Sequence, residues 1–158
     1  MSDVLQALYR GDREEAVRLA ADRDLDVFEA AALGRTELLG EVLDEDATRA
    51  SAFGGDGFHP LGLACFFGHV DAARLLLGRG ADVNALSRNE HIQTAAIHAS
   101  AASEGKDEAT RYELVKLALD HGADPNLPQG GGFRAIDAAR QNGDQRVEQL
   151  LLERGATD

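Results

Sequence analysis

The chain has 158 residues, a formal net charge of −12 and 44% apolar residues. Nucleic-acid phosphates are bound by basic surfaces, so this acidity argues against a nucleic-acid partner. The single cysteine excludes an intramolecular disulfide, and the charges spread through residues 1–20 argue against a signal peptide or a membrane span there. We therefore expect a cytoplasmic protein that forms one domain over residues 1–158 and has no membrane partner.

The first 55 residues predict two short helix pairs. Apolar residues recur at helical spacing on either side of Gly11 and again on either side of Gly34. The interval between these two glycines is too short to contain a hairpin, so about residues 1–24 are expected to form an N-terminal cap. Residues 25–55 are expected to form a degenerate repeat.

Residues 56–88 carry the clearest local signals. Pro60 suits the first turn of a helix because it has no N–H to lose, and Gly68 is expected to end that helix. A second helix follows, with a leucine stripe over 75–77 and an end near Gly80. The segment therefore predicts two antiparallel helices and an extended hairpin.

The end of this segment recurs along the chain. Gly80-Ala81-Asp82 returns as Gly122-Ala123-Asp124 and as Gly155-Ala156-Thr157, and the second interval is 33 residues. A unit of that length cannot bury its own apolar face, so several copies must stack. Further repeats are therefore expected at 89–126 and 127–158.

The repeat at 89–126 is longer than its neighbours. Its extra residues are expected in the hairpin around 88–93 and between its two helices near 103–110. The second insertion includes Glu104, Gly105, Lys106, Asp107 and Glu108, a composition that indicates a solvated loop.

Taken together, these features resemble the ankyrin repeat. The residues that follow its pattern in register are Gly57, Pro60, Leu61, Ala64, Gly68, His69, Leu75, Leu76, Gly80, Ala81, Asp82 and Asn84. His59 and Gly62 stand where that pattern has Thr and His. The resemblance covers nearly the whole chain, strongly from Asp56 onward. It implies an all-α fold, an ankyrin-repeat solenoid of stacked antiparallel helix pairs with hairpin-like loops, and a concave groove that binds other proteins.

Residues that often carry chemistry favour structural roles in this sequence. No nucleophile with a base, set of metal ligands or phosphate-binding glycine loop stands out. His69 and His98 occupy positions that the ankyrin pattern explains, and Cys65 replaces a small core alanine. We therefore predict no catalytic residue, no metal site and no cofactor. His91, in the enlarged hairpin, is the histidine expected to contact a ligand.

Aromatic residues in the groove are the main candidates for partner binding. Phe66 and Phe67 occupy two positions that stacking does not require to be apolar, and Phe58 lies at the adjoining hairpin tip. For Phe66 a place in the core remains an open alternative. The predicted binding set is Phe58, Leu63, Phe66, Phe67 and Phe133, with a polar rim of Arg88, Glu90, His91 and Arg134. The resemblance also places in the groove Gln6, Tyr9, Arg10, Glu29, Ala32, Leu33, Ala138, Gln141 and Asn142.

The leading functional hypothesis is a monomeric, non-catalytic module that binds or inhibits another protein. Residues 1–55 contain 13 acidic residues and 6 arginines, which favours a partner with a basic surface. One alternative is an enzyme or small-ligand binder under the enlarged loops of the 89–126 repeat, using His91, His98 and Glu104. The other is a structural module that associates with itself.

Overall fold

The structure is a computed structural model and describes residues 2–102 and 105–158. Within those residues the chain forms α-helices, one 3-10 helix at Ala47–Ser51 and no β-strand. The α-helices of the described residues are α1 (Asp3–Tyr9), α2 (Arg13–Ala20), α3 (Val27–Leu33), α4 (Thr36–Glu45), α5 (Pro60–Phe66), α6 (Val70–Gly78), α7 (Ala96–Ala101), α8 (Glu108–Asp120), α9 (Ala135–Asn142) and α10 (Gln145–Glu153).

These helices pack as consecutive pairs that stack side by side. The first helices of the pairs, α1, α3, α5, α7 and α9, each pack on the next one and form one layer. The second helices α4, α6, α8 and α10 form the other layer in the same way. The predicted all-α solenoid is therefore confirmed.

The core lies between the two layers and is shared by neighbouring pairs. Ala30 and Ala64 are fully buried in first helices, where their small side chains let the helices approach closely. Leu39, Leu76 and Leu151 are fully buried in second helices and fill the space between the layers. These residues belong to one apolar cluster that runs from α3 to α10, and a second cluster joins α1 and α2 to α3 and α5.

Two asparagines tie each loop to the following one. The Asn84 amide donates to the carbonyl of Gly122 at 3.1 Å and accepts from the N–H of Asp124 at 2.9 Å. Asn126 repeats the arrangement with Gly155 at 3.0 Å and Thr157 at 2.8 Å. At each recurrence of the Gly-Ala motif, backbone groups therefore form hydrogen bonds with an asparagine side chain of the preceding repeat.

Two histidines make an equivalent connection at the start of a first helix. In both rings Nδ1 accepts a backbone N–H, from Gly62 to His59 at 3.0 Å and from Ala95 to His98 at 2.9 Å. In both rings Nε2 lies within hydrogen-bond distance of a carbonyl in the next loop, at 3.0 Å for His59 and 2.6 Å for His98. Because Nδ1 accepts, Nε2 must carry the proton and donate, so both rings are neutral.

Gly57 holds the loop of residues 79–95 against the preceding loop. Its φ is +85°, and a Cβ there would lie 2.4 Å from backbone atoms of Arg88 and Asn89. The N–H of Arg88 donates to the Gly57 carbonyl at 2.7 Å. Only glycine meets both the backbone angle and the close approach.

The expected solvated loop at 103–110 is wrong in two respects. Lys106 is only 8% exposed, and its ammonium donates to the carbonyls of Phe66 at 2.7 Å and Ala99 at 2.9 Å. Residues 108–110 form the first turn of α8 instead of loop. Ser103 and Glu104 lie outside the described residues. The Phe66 and Ala99 carbonyls, which the Lys106 ammonium binds, belong to the last turns of α5 and α7. Carbonyls at the end of a helix lack partners within the helix, and a nearby cation is favoured there.

A buried ion pair extends this arrangement to the last repeat. The guanidinium of Arg111 lies 2.9 Å from the Asp144 carboxylate, and both side chains are buried. Arg111 also donates to the carbonyl of Lys106 at 2.8 Å, while Asp144 accepts from the N–H of Val147 at the start of α10. The full set of hydrogen bonds compensates the desolvation that burial of two charges costs.

Protonation of the buried histidines should destabilise the fold. Burial lowers the pKa of His59, His69 and His98 below the usual 6.5. The unfolded chain therefore takes up these protons first, so the histidine contribution is complete above pH 6.5 and is lost as the pH falls through the folded-state pKa values. Each pKa unit of difference corresponds to about 1.4 kcal/mol, and melting curves between about pH 7.5 and pH 5.5 should move to lower temperature as the pH falls.

The same measurement on two variants separates buried from exposed rings. His98→Gln should melt at lower temperature at neutral pH and should lose part of the pH dependence, because one titrating group is gone. His91→Gln, which removes an exposed ring, should leave the melting temperature at neutral pH unchanged. Equal pH dependence in the wild type and His98→Gln would contradict this account.

Lys106→Met should destabilise the protein much more than the same change at the other lysine, Lys116. The first substitution leaves the Phe66 and Ala99 carbonyls unpaired, at a cost of about 1 to 3 kcal/mol for each. Lys116 forms an exposed pair with Asp120 at 2.8 Å, so Lys116→Met should leave the stability almost unchanged. Urea unfolding of both variants measures the difference, and equal losses would show that Lys106 has no such role.

Candidate functional site

An apolar pocket opens in the first-helix layer between α5 and α7. Its volume is about 390 Å³, and we call it the α5–α7 pocket. It is lined by residues of α1, α5, α7 and four connecting segments, namely Tyr9, Phe58, His59, Gly62, Leu63, Phe66, Ser87, Ile92, Thr94, His98, Ala99, Ala102 and Gln129. These elements belong to the face that the sequence predicted as the concave groove.

Four aromatic rings form a contiguous cluster, and three of them, Tyr9, Phe58 and Phe66, line the pocket. The Tyr9 ring lies 6.1 Å from the Phe58 ring and 6.1 Å from the Phe67 ring, and Phe67 packs edge-on against Phe66 at 5.0 Å. Tyr9 is 38% exposed. Its hydroxyl donates to the Asp56 carboxylate at 2.9 Å, and burial together with this hydrogen bond raises the pKa of Tyr9.

The 79–95 loop forms the opposite side and projects Ile92 over the pocket. Ser87 and Thr94 close the loop with backbone and hydroxyl hydrogen bonds of 2.9 and 3.0 Å. Asn89 accepts from the N–H groups of His91 and Ile92 inside it. Ile92 is 52% exposed although its carbonyl is fixed by the Ser87 hydroxyl at 2.7 Å. An exposed isoleucine on a well-paired loop is a candidate contact residue.

Phe66 belongs to both the core and the pocket, which answers the question left open by the sequence. Its ring is half-buried, packs against the main apolar cluster and lines the α5–α7 pocket. The Lys106 ammonium lies 5.4 Å from the centre of the Phe66 ring and also donates a hydrogen bond to the Phe66 carbonyl. The pocket wall is therefore supported from behind by a buried cation.

The predicted binding residues fall into three groups. Phe58 and Leu63 line the pocket with Phe66, although Leu63 is only 3% exposed. Phe67 does not line it but stacks on Tyr9 beside it. Glu90 and His91 are exposed on the 79–95 loop and lie outside the lining.

The two arginines of the predicted polar rim contact other residues of the protein. The Arg88 guanidinium lies over the Phe53 ring at 4.0 Å and lines a separate cavity instead of the α5–α7 pocket. Arg134 donates to the carbonyl and hydroxyl of Thr157, both at 3.1 Å, and so holds the C-terminal segment. Neither arginine is part of the lining of the α5–α7 pocket itself.

Phe133 and Arg134 line a second, more polar cavity that adjoins the first. It has a volume of about 180 Å³ and also includes Gln141 and Asn142. Both cavities share His98, Ala102 and Gln129, so together they form one trough along the first-helix layer.

The expected groove residues of α3 are buried instead of exposed. Glu29, Ala32 and Leu33 are covered because α1 packs on α3. The Glu29 carboxylate pairs with Arg23 at 2.5 Å and accepts the N–H of Asp26 at the helix start. Tyr9 thus reaches the pocket across α3, and the aromatic wall begins at the N-terminal cap.

Two residues missed as site members have different sequence signals. Ile92 is the one aliphatic residue in the polar stretch 88–93, and this contrast could have marked it. Lys106 carries no comparable signal, because its partner carbonyl in Phe66 lies 40 positions earlier in the chain.

Burial raises the pKa of the Cys65 thiol to about 11, which fits a core residue and not a nucleophile.

Two features are absent from the described residues, a membrane-spanning helix and a cluster of candidate metal ligands. None of the helices within 2–102 and 105–158 is long and apolar enough to cross a membrane. Over the same residues, no group of three or more His, Cys, Asp or Glu side chains is placed to hold a metal ion.

Comparison with known proteins agrees with the repeat architecture. Residues 56–88 match the family model of the ankyrin repeat. Ankyrin repeat and SAM domain-containing protein 6 of Rattus norvegicus is 32% identical over 127 residues, which cover 80% of this chain and 13% of that protein. The ankyrin repeat protein YahD of Escherichia coli (strain K12) is 32% identical over 111 residues, or 70% of this chain.

The chain spans only part of these relatives, 13% of the length of the rat protein and 52% of YahD. The similarity therefore bears on the repeats themselves. The helical stack, the matched repeat and these relatives agree. The chain belongs to the ankyrin repeat protein family.

Proposed function

We propose that the chain is a non-catalytic module that binds another protein through the α5–α7 pocket and the trough around it. Ankyrin repeats are generally protein-interaction modules, which supports the class of function. The observation that carries the proposal is the apolar pocket with its aromatic wall, left open in the first-helix layer. Clustered aromatic residues around a concave apolar site are the usual anchors of a binding hot spot.

The chemistry of the pocket favours binding over catalysis. Both ring nitrogens of His59 and His98 are engaged with backbone groups, so neither ring has a nitrogen available as a base. His91 lies outside the pocket, and Glu104, the third residue of the enzyme hypothesis, lies outside the described residues. The pocket therefore offers an apolar concave surface, which suits binding of a partner better than catalysis.

The proposal includes a partner with a basic surface, a cytoplasmic location and a monomeric state. The net charge of −12 supports the first, because an acidic surface attracts a basic partner from a distance. The single cysteine, buried in the core, is compatible with a reducing compartment.

Phe58→Ala should weaken partner binding without a large loss of stability. The Phe58 ring is half-buried at the pocket edge, and truncation of a hot-spot aromatic costs about 2 kcal/mol of binding free energy. Partners would be recovered by affinity capture from the host lysate and titrated by isothermal calorimetry, with a thermal melt of every variant.

Phe53→Ala is the matched control for that titration. Phe53 is also half-buried, but it lies under Arg88 and does not line the pocket, so its removal should leave the affinity unchanged. Equal affinities for the wild type and Phe58→Ala would place the binding surface elsewhere.

A further inference from the structure

We infer that the α5–α7 pocket receives one bulky, uncharged apolar side chain from a partner peptide segment whose flanking residues are basic. The inference rests on the proposed function and names the chemistry of its partner. It follows from the hydrogen bonds of the lining, the composition of the lining and the net charge of the protein.

The polar side chains around the pocket already have partners within the protein. The histidine rings use both nitrogens on backbone groups, and the Tyr9 hydroxyl donates to Asp56. The Ser87 hydroxyl donates to Ile92 and accepts from Thr94. The Thr94 hydroxyl donates to the carbonyl of Ala95 at 3.3 Å. These hydrogen bonds do not include the side-chain amide of Gln129, which lines the pocket at its end toward the second cavity.

The lining also lacks formal charge. Its described residues include no Asp, Glu, Lys or Arg. A polar group that enters such a site without a partner loses its hydration and gains no hydrogen bond in return, whereas a Leu, Ile or Phe side chain is stabilised by leaving water. The part of the ligand that enters the pocket is therefore apolar and uncharged.

Acidic residues lie beside the mouth. Asp56 binds the Tyr9 hydroxyl and, through its backbone carbonyl, the Asn89 amide at 2.8 Å, and Glu90 is exposed next to Asn89. Arg88, the nearest arginine of the same loop, is held over Phe53. Arg10 follows Tyr9 and offsets one of these charges. Arg10 and Arg88 together equal Asp56 and Glu90 in formal charge, so it is the net charge of −12 of the whole protein that favours lysine or arginine next to the apolar anchor.

A peptide selection tests this chemistry without knowledge of the native partner. A displayed library of random peptides would be selected on the full chain, and the enriched peptides would be synthesised and titrated. We expect a consensus with one Phe, Trp, Leu, Ile or Met beside Lys or Arg. A consensus anchored by a charged residue, or without basic flanks, would overturn the inference.

Three variants locate the selected peptides on the surface. Ile92→Asp places a carboxylate at the mouth, and Ala102→Leu adds bulk to the wall at the half-buried residue that follows α7, so each should weaken binding by about tenfold or more. His91→Asp adds the same charge one residue away, outside the lining, and should leave the affinity unchanged or slightly higher. Thermal melts establish that all three variants are folded.

The remaining outcomes separate this inference from the proposed function. If peptides bind but respond only to Gln141→Ala in the second cavity, the trough is a binding surface and the anchor inference fails. If the library yields no peptide while indole shifts the amide NMR signals of the pocket residues saturably, the pocket is a small-molecule site and the inference also fails. If the peptides obey the expected pattern but a captured native partner is insensitive to Ile92→Asp, the pocket chemistry stands and the proposed function fails.

Discussion

The stack depends on side chains that pair backbone groups of the neighbouring repeat. Helices α5 and α7 have only 7 and 6 residues, so most of their backbone N–H and C=O groups lie in end turns without a partner inside the helix. His59, His98 and Lys106 satisfy part of this demand, and asparagines do the same between loops. Neighbouring repeats are thus held together by hydrogen bonds to backbone groups, which are the same in every residue type. The exposed side chains of the first-helix layer are therefore available for recognition.

The pocket lies where the 89–126 repeat departs from its neighbours. The longer loop brings Ile92 over α5 and α7, and the longer connection between α7 and α8 brings Lys106 beneath them. The ammonium donates to carbonyls at the ends of both helices and lies 5.4 Å from the centre of the Phe66 ring, so it connects the two helices that form the wall of the pocket. Preorganised walls reduce the entropy lost on binding, which favours an apolar site over an adaptable surface.

Features that follow the local pattern were predictable from the sequence. Pro60, the glycines and the leucine stripes predict the helix pairs, and their register placed Phe58, Leu63 and Phe66 at the site. Features that depend on distant partners were not. Lys106 lies in a charged stretch, and Arg88 is drawn to Phe53 by a contact between loops. The α3 positions followed the register but are covered by α1, because the connection between the first two pairs, residues 21–26, is too short to hold a hairpin.

The division between an acidic surface and an uncharged pocket gives each a separate part in recognition. Charges at long range mainly accelerate association, whereas an apolar anchor in a preformed site mainly slows dissociation. His59 and His98 connect this division to pH, because both line the pocket and both must be neutral to accept a backbone N–H. Protonation would remove a helix-end hydrogen bond and place a cation in an apolar wall at once. The condition that preserves the fold is therefore also the condition that keeps the pocket apolar.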